Sequence, residues 1–204
     1  LLFFCQNSIL THNNPICSQG VFMSTALVFY TNGTEDIEVT ATVDVLDRGG
    51  VKITKAAVTE DGSKTVTLAH GSVVTTEKHI NDITDTYDLI VVPGGAGVKN
   101  FAKSQKLLAL LKEQKEAGRL TGAICAAPGV VLYANGLITT EKATCYPGCE
   151  CGGQFLTDGV VTTEDNLLVT GRGPGFAVAF GLELLKVLEG QEKANAVAKG
   201  MLVD

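Results

Sequence analysis

Thr25-Ala26-Leu27-Val28-Phe29-Tyr30 runs through Thr31-Asn32-Gly33-Thr34 into Glu35-Asp36-Ile37-Glu38, and the reading of this passage decides the fold. The apolar run has the length and composition of a buried strand. Asn32-Gly33 supplies a turn, and Thr34 stands where a helix cap is expected. Glu35, Asp36 and Glu38 then load a first helical turn with acids that complement its dipole. Ile37, Ala41 and Val45 follow at helical spacing until Gly49-Gly50 ends the element. Strand, short glycine-bearing join and helix form the opening unit of an α/β sheet.

The same alternation continues downstream. Val51–Val58 reads as a second strand, and 65–69 and 72–76 as two short β runs after the turn at Glu60-Asp61-Gly62-Ser63. Asp88–Val92 is a continuous apolar strand that enters Pro93-Gly94-Gly95-Ala96-Gly97. Ser104 caps a helix through Leu107, Leu108 and Leu111 that Gly118 stops. Leu120–Ile124 reads as a strand and Ala126–Ala134 as a helix, with Pro128 in its first turn. Strands over 160–163 and 167–170 and helices over Phe176–Leu188 and Gln191–Ala198 complete the chain. The expected fold is a three-layer α/β domain around a mainly parallel, doubly wound sheet. Its functional residues should gather at the carboxyl ends of strands.

Composition narrows the function classes. The 204 residues are 45% hydrophobic and 19% charged, which suits a single domain with a sizeable core over 23–204. A net charge of −6 with no basic run argues against a nucleic-acid groove or an anionic membrane surface. No apolar stretch reaches the roughly 18 residues of a membrane helix. Residues 1–22 lack a positive n-region and a clear cleavage pattern, and Met23-Ser24 reads as a natural start. They are expected to be an extension, and their origin stays open among upstream sequence, a targeting remnant and cloned-in residues. Six cysteines are too sparse for a disulfide scaffold, so redox or catalytic use is the better expectation.

Cys125 is the foremost candidate. In Gly122-Ala123-Ile124-Cys125-Ala126-Ala127-Pro128 it stands where a strand turns into a helix, as a nucleophile elbow requires. A helix N-terminus favours the thiolate, which is the strong nucleophile. Glu38, between Ile37 and Val39, is placed for a partly desolvated acid that shares a proton with that thiolate. Gly94 and Gly95 can bring backbone N–H groups to a ligand and form an oxyanion site with the amide of Ala126. Cys145, Cys149 and Cys151 lie at C-x3-C-x-C spacing, which does not match a zinc ribbon; incidental loop thiols or a resolving thiol for Cys125 are the alternatives. Arg172, in Thr170-Gly171-Arg172-Gly173-Pro174-Gly175, can meet an anion or pair with a carboxylate, and Arg48 and Tyr146 are placed as supporting residues. None of His12, His70 and His79 falls in a strand-end loop of the expected sheet, which leaves no cysteine–histidine dyad.

Four ordered motifs carry a resemblance. Gly33-Thr34-Glu35-Asp36-Ile37-Glu38, Val92-Pro93-Gly94-Gly95, the Gly122–Pro128 elbow and Arg172-Gly173-Pro174-Gly175 resemble the ThiJ/PfpI superfamily, in its Parkinson-disease deglycase/glyoxalase III branch, from residue 24 to Asp204. That resemblance implies a flavodoxin-like sandwich, usually a homodimer, and a cytoplasmic protein. It implies a reactive cysteine at Cys125, a partner acid at Glu38 and oxyanion amides at Gly95 and Ala126. It also implies action without metal or organic cofactor on methylglyoxal, glyoxal or their early adducts on protein and nucleotide groups. A non-catalytic redox sensor or chaperone, working through oxidation of Cys125, is the alternative from the same resemblance. Ala126 stands where the protease-like branch has histidine, which argues against a Cys–His peptidase. Tyr146 stands where many close relatives have histidine and leaves the proton work to Glu38.

Overall fold

The opening strand β1 (Thr25–Tyr30) is buried over nearly its whole length in the computed structural model, which describes residues 23–203. The expected extension over 1–22, with Cys5, Cys17 and His12, lies outside the described residues. β1 pairs in parallel with β2 (Lys52–Ala57) on one side and β6 (Leu89–Val92) on the other. β5 (Lys78–His79) extends the β2 side. β7 (Leu120–Ile124) and β9 (Leu168–Gly171) extend the β6 side in parallel, and β8 (Val160–Thr162) closes that edge antiparallel. The order β5-β2-β1-β6-β7-β9-β8 reverses direction between β1 and β6, the position where doubly wound sheets open their ligand crevice. The doubly wound α/β architecture expected from the alternation, and the flavodoxin-like form that the resemblance implies, are therefore the observed ones.

Helices α1 (Asp36–Arg48) and α5 (Gln191–Gly200) pack on α4 (Ala177–Glu189), while α2 (Val98–Lys103) packs with the turn after β7 and with α3 (Gln105–Glu116), which lies against β7. One local expectation changes and one element is added. Residues 98–103, to which the sequence assigns no element, form α2, with Val98 and Phe101 on one buried face. Residues 126–134, read as one helix, form a π-helical turn over Pro128–Leu132 and a 3₁₀ turn over Tyr133–Asn135. There Gly129 presses against the Cys149 carbonyl, and a β-carbon on it would stand 3.1 Å from Cys145 Sγ. The two short β runs are β3 (Thr65–Thr67) and β4 (Val73–Thr75), an antiparallel ribbon separate from the main sheet. Gly33 N–H donates to Thr67 O and Ala69 N–H to Thr34 O, both at 2.8 Å, which fastens the ribbon to the β1–α1 turn.

Small residues in β7 let α4 approach the sheet closely. A β-carbon on Gly122 would lie 2.9 Å from Leu184 Cδ2 and 3.1 Å from Phe180 Cζ. Leu184 and Phe180 are fully buried, so they fix the height of the strand that ends in Cys125. Leu184→Ala should lower unfolding free energy by about 2–5 kcal/mol in urea titration. A loss below about 1 kcal/mol would show that this contact does not hold the sheet.

Candidate active site

Glu38 enters the site because α1 begins one turn earlier than its side chain points. The cap is Glu35, not Thr34: the Glu35 carboxylate accepts from Glu38 N–H at 2.7 Å, while Thr34 Oγ1 accepts from Thr31 N–H at 2.9 Å. Glu35 is also buried rather than solvated. With the helix start held in this way, Glu38 is 0% exposed and its Oε2 accepts from Gly94 N–H at 2.8 Å. Its other oxygen, Oε1, is buried and has no hydrogen-bond partner among the described residues. A buried carboxylate with one bare oxygen is strongly disfavoured, and the protonated acid is favoured in its place.

Cys125 reaches the same point from the end of β7. Its φ of 63° is a left-handed conformation that cysteine seldom adopts, and a backbone so held stores about 1–3 kcal/mol of strain. The surroundings enforce it. Cys125 N–H donates to Gly171 O at 2.8 Å, and the Cys125 carbonyl accepts from Tyr146 N–H at 2.8 Å and from the Cys145 thiol at 3.3 Å. The elbow leaves the residue 8% exposed. Gly94 lies between the two reactive side chains, since a β-carbon there would meet Glu38 Oε2 at 2.9 Å and Cys125 Sγ at 3.0 Å. Gly95, at φ 93°, takes a turn that an L side chain would resist and delivers its N–H toward the sulfur.

Burial pushes the Glu38 carboxyl up to about 7, opposed by its interactions with the Cys125 thiol and the Gly94 amide and reinforced by the charge of Glu35. Burial also pushes the Cys125 thiol up, reinforced by the adjoining Glu38 carboxylate; the amides of Gly95 and Ala126 act in the opposite sense. The two groups therefore titrate as one unit. Above the first titration the pair carries a single proton, and its nucleophilic form is the tautomer with that proton on Glu38.

The structure brings Cys125, Glu38, Gly94, Gly95 and Ala126 together. Cys145 lies beneath the elbow, its thiol pushed up to about 12 by burial, where it supports the Cys125 carbonyl. Cys149 is half-buried and Cys151 exposed, and all four described cysteines are free. Among the described residues, no group of three His, Cys, Asp or Glu is arranged to hold a metal ion. Tyr146 meets the elbow through its backbone, with its side chain 46% exposed beside Gly173. Among the described residues Arg172 has no carboxylate partner; its guanidinium donates to Thr157 O at 2.6 Å and braces a neighbouring loop. Arg48 is not part of the site, because it ends α1, two to three turns beyond Glu38, and pairs with Asp44 at 2.9 Å. His70, set aside in the sequence, arrives on the β3–β4 ribbon with Nε2 3.6 Å from Glu35 Oε1. No local sequence signal links it to Glu35, since the contact depends on where the ribbon docks.

A family model described as DJ-1/PfpI matches residues 24–187. The chain belongs to the DJ-1/PfpI family. It is 37% identical over 171 residues to the Caenorhabditis elegans protein named glutathione-independent glyoxalase DJR-1.2, covering 81% of this chain and 88% of that protein. It is 34% identical over 183 residues to protein dj-1beta of Drosophila melanogaster, covering 87% and 96% respectively. Among solved structures, oxidized Toxoplasma gondii DJ-1 superposes with a TM-score of 0.83 at 34% identity, over 88% of this chain and 98% of that one. The DJ-1/PfpI assignment covers the elements that build the site, from β1 through most of α4.

Glu38 gives a direct pH prediction. Its folded pKa, about 7, exceeds the reference 4.5, so between those values the folded chain binds more protons than the unfolded one. Stability from this group is fully present below about pH 4.5 and is lost as pH rises through about 7. Glu38→Gln should remove that slope and, at about pH 8, stabilise the protein on the order of 3 kcal/mol by urea denaturation. An unchanged slope between pH 5 and 8 would refute a raised Glu38.

Proposed function

We propose that this protein is a cofactor-independent glyoxalase and deglycase. It acts on methylglyoxal, glyoxal or their early adducts with protein and nucleotide groups. The observation that carries the reading is the buried Glu38 carboxyl, with one unpartnered oxygen, set against Cys125 on a strained elbow. The C. elegans relative named a glutathione-independent glyoxalase supports it.

In the proposed cycle the proton moves to Glu38 and the Cys125 thiolate attacks the aldehyde carbon. A C–S bond forms, the carbonyl π electrons pass to oxygen beside the amides of Gly95 and Ala126, and Glu38 protonates that oxygen. The Glu38 carboxylate next removes the C1 proton of the hemithioacetal and returns it to C2, while the hydroxyl proton passes from the C1 oxygen to the C2 oxygen, leaving a thioester of the hydroxy acid. Water cleaves the thioester and releases lactate from methylglyoxal, with the thiol restored. The net change is addition of one water, and the oxidation of C1 balances the reduction of C2. For an amine adduct, a hemiaminal, the amine leaves first with a proton from Glu38 as the adduct's hydroxyl collapses to the carbonyl, and the thiolate then attacks the freed aldehyde.

A second reading, a redox sensor or redox-regulated chaperone, draws on the same sulfur. The amides of Gly95 and Ala126 and the protonated Glu38 form a donor set for an oxidised Cys125, and a similar fold is known from an oxidized DJ-1. The protein is further proposed to act as a cytoplasmic homodimer; exposed Ile37 on α1 and Val73 on the ribbon are apolar surface suited to a second copy. No helix among the described residues is long and apolar enough to cross a membrane.

Lactate formation from methylglyoxal should be lost in Cys125→Ser and fall by about 10²-fold or more in Glu38→Gln. Undiminished turnover in Cys125→Ser would refute the enzymatic reading. Sulfinate confined to Cys125 after mild peroxide, in a protein that forms no lactate, would select the sensor.

A further inference from the structure

Three carboxylates crowd the start of α1. Glu35 caps it, Asp36 opens it and Glu38 lines the site. The base paired with this group in the structure is His70, carried in by the β3–β4 ribbon. Its Nε2 lies 3.6 Å from Glu35 Oε1, and its own N–H donates to Asp36 Oδ2 at 2.9 Å. Four backbone-directed bonds hold the ribbon against the β1–α1 turn: Gly33 N–H to Thr67 O, Ala69 N–H to Thr34 O, Thr67 N–H to Asn32 Oδ1, and that His70 N–H to Asp36. These bonds fix the backbone of His70 beside the start of α1, within reach of Glu35.

Glu35 connects the ring to the reacting pair. One of its oxygens faces His70, and the other accepts from the backbone N–H of Glu38. Its side chain is only 10% exposed against 73% for His70, so the histidine is the solvent-facing end of a chain that runs inward to Glu38. Glu38 is faced by Glu35 from α1, Cys125 from β7 and the Gly94 amide from β6. His70 is faced by Glu35 and Asp36 from α1.

We propose that His70 is a positioning residue that sets, through Glu35, the pH at which the Cys125–Glu38 pair gives up its first proton. A positive charge at position 70 offsets the negative charge of Glu35, so the pair releases that proton at lower pH; without that charge Glu35 is uncompensated and the pair retains the proton longer. The direction follows from Coulomb attraction, and its size is limited by solvent at the exposed ring. This regulation refines the Cys–Glu site of the proposed enzyme, but it concerns thiol ionisation and does not require turnover.

The test is the rate of Cys125 alkylation by iodoacetamide, resolved by peptide mass spectrometry, between about pH 5 and 9 at low salt. His70→Gln should move the acid limb upward by about 0.3–0.5 pH unit, a two- to threefold slower reaction on that limb. Glu35→Gln, which keeps an oxygen for the cap, should move it downward. In that background His70→Gln should add nothing, because the coupling passes through Glu35. His70→Arg, a permanent cation, should hold the limb at or below the wild-type pH, and about 1 M salt should shrink every shift. A His70→Gln limb that overlays wild type would overturn the proposal, as would a shift that persists in full in Glu35→Gln. Loss of lactate formation with these alkylation shifts intact would refute the enzymatic reading and leave the coupling standing.

Discussion

One contact governs this structure: a carboxylic side chain with no exposed surface, Glu38, set against a cysteine sulfur across the backbone of Gly94. Removing an ionised carboxylate from water without full pairing is costly, and the protein lowers that cost by raising the acid's pKa. The remaining features of the site follow from holding the two side chains in place. Glu35 fixes the start of α1, the Gly94 amide fixes one carboxyl oxygen, and Gly171, Tyr146 and Cys145 fix the elbow at Cys125. Strain at Cys125 is sustained by bonds from two separate segments, the end of β9 and the 145–146 loop, the arrangement expected where a reactive geometry is held by the fold.

Residues at the carboxyl ends of β1, β6 and β7 supply all of the reacting groups, as the topology of a doubly wound sheet requires. The reversal between β1 and β6 places the Glu38 turn and the Gly94-Gly95 turn side by side, and β7 adds Cys125 next to the latter. Gly122 makes the third contribution possible, because α4 packs over it with Leu184 and Phe180 and sets the level of the strand. Stability of the core and geometry of the site are therefore connected through one glycine and two large side chains.

Much of this was legible in the sequence because it is local. The apolar run at 25–30, the acids that follow it, and the glycines at 94–95 each state their element within a few residues. Cys125 at a strand-to-helix junction likewise declares its position. What stayed hidden depends on contacts between distant segments. Glu35 reads as one of three acids that complement the helix dipole, yet it is buried and caps the helix through Glu38 N–H. His70 looked remote because its ribbon stands apart from the main sheet. Hydrogen bonds to Asn32, Thr34 and Asp36, more than thirty residues away, bring it to the helix start. Arg48 looked like a supporting group, but the length of α1 carries it away from Glu38 to a pairing with Asp44. The segment after Cys125 reads as an α-helix by composition, but contact with the 145–149 loop accompanies a wider π turn.

The central claim is that Glu38 keeps its proton near neutral pH. Infrared difference spectroscopy of wild type against Glu38→Gln, titrated from about pH 4 to 9, reads that proton through the carboxylic-acid C=O stretch. The account predicts a Glu38 band that persists through pH 6 and disappears around pH 7, where burial places the titration. A band already lost by about pH 5, the ordinary range of a solvated glutamate, would contradict it.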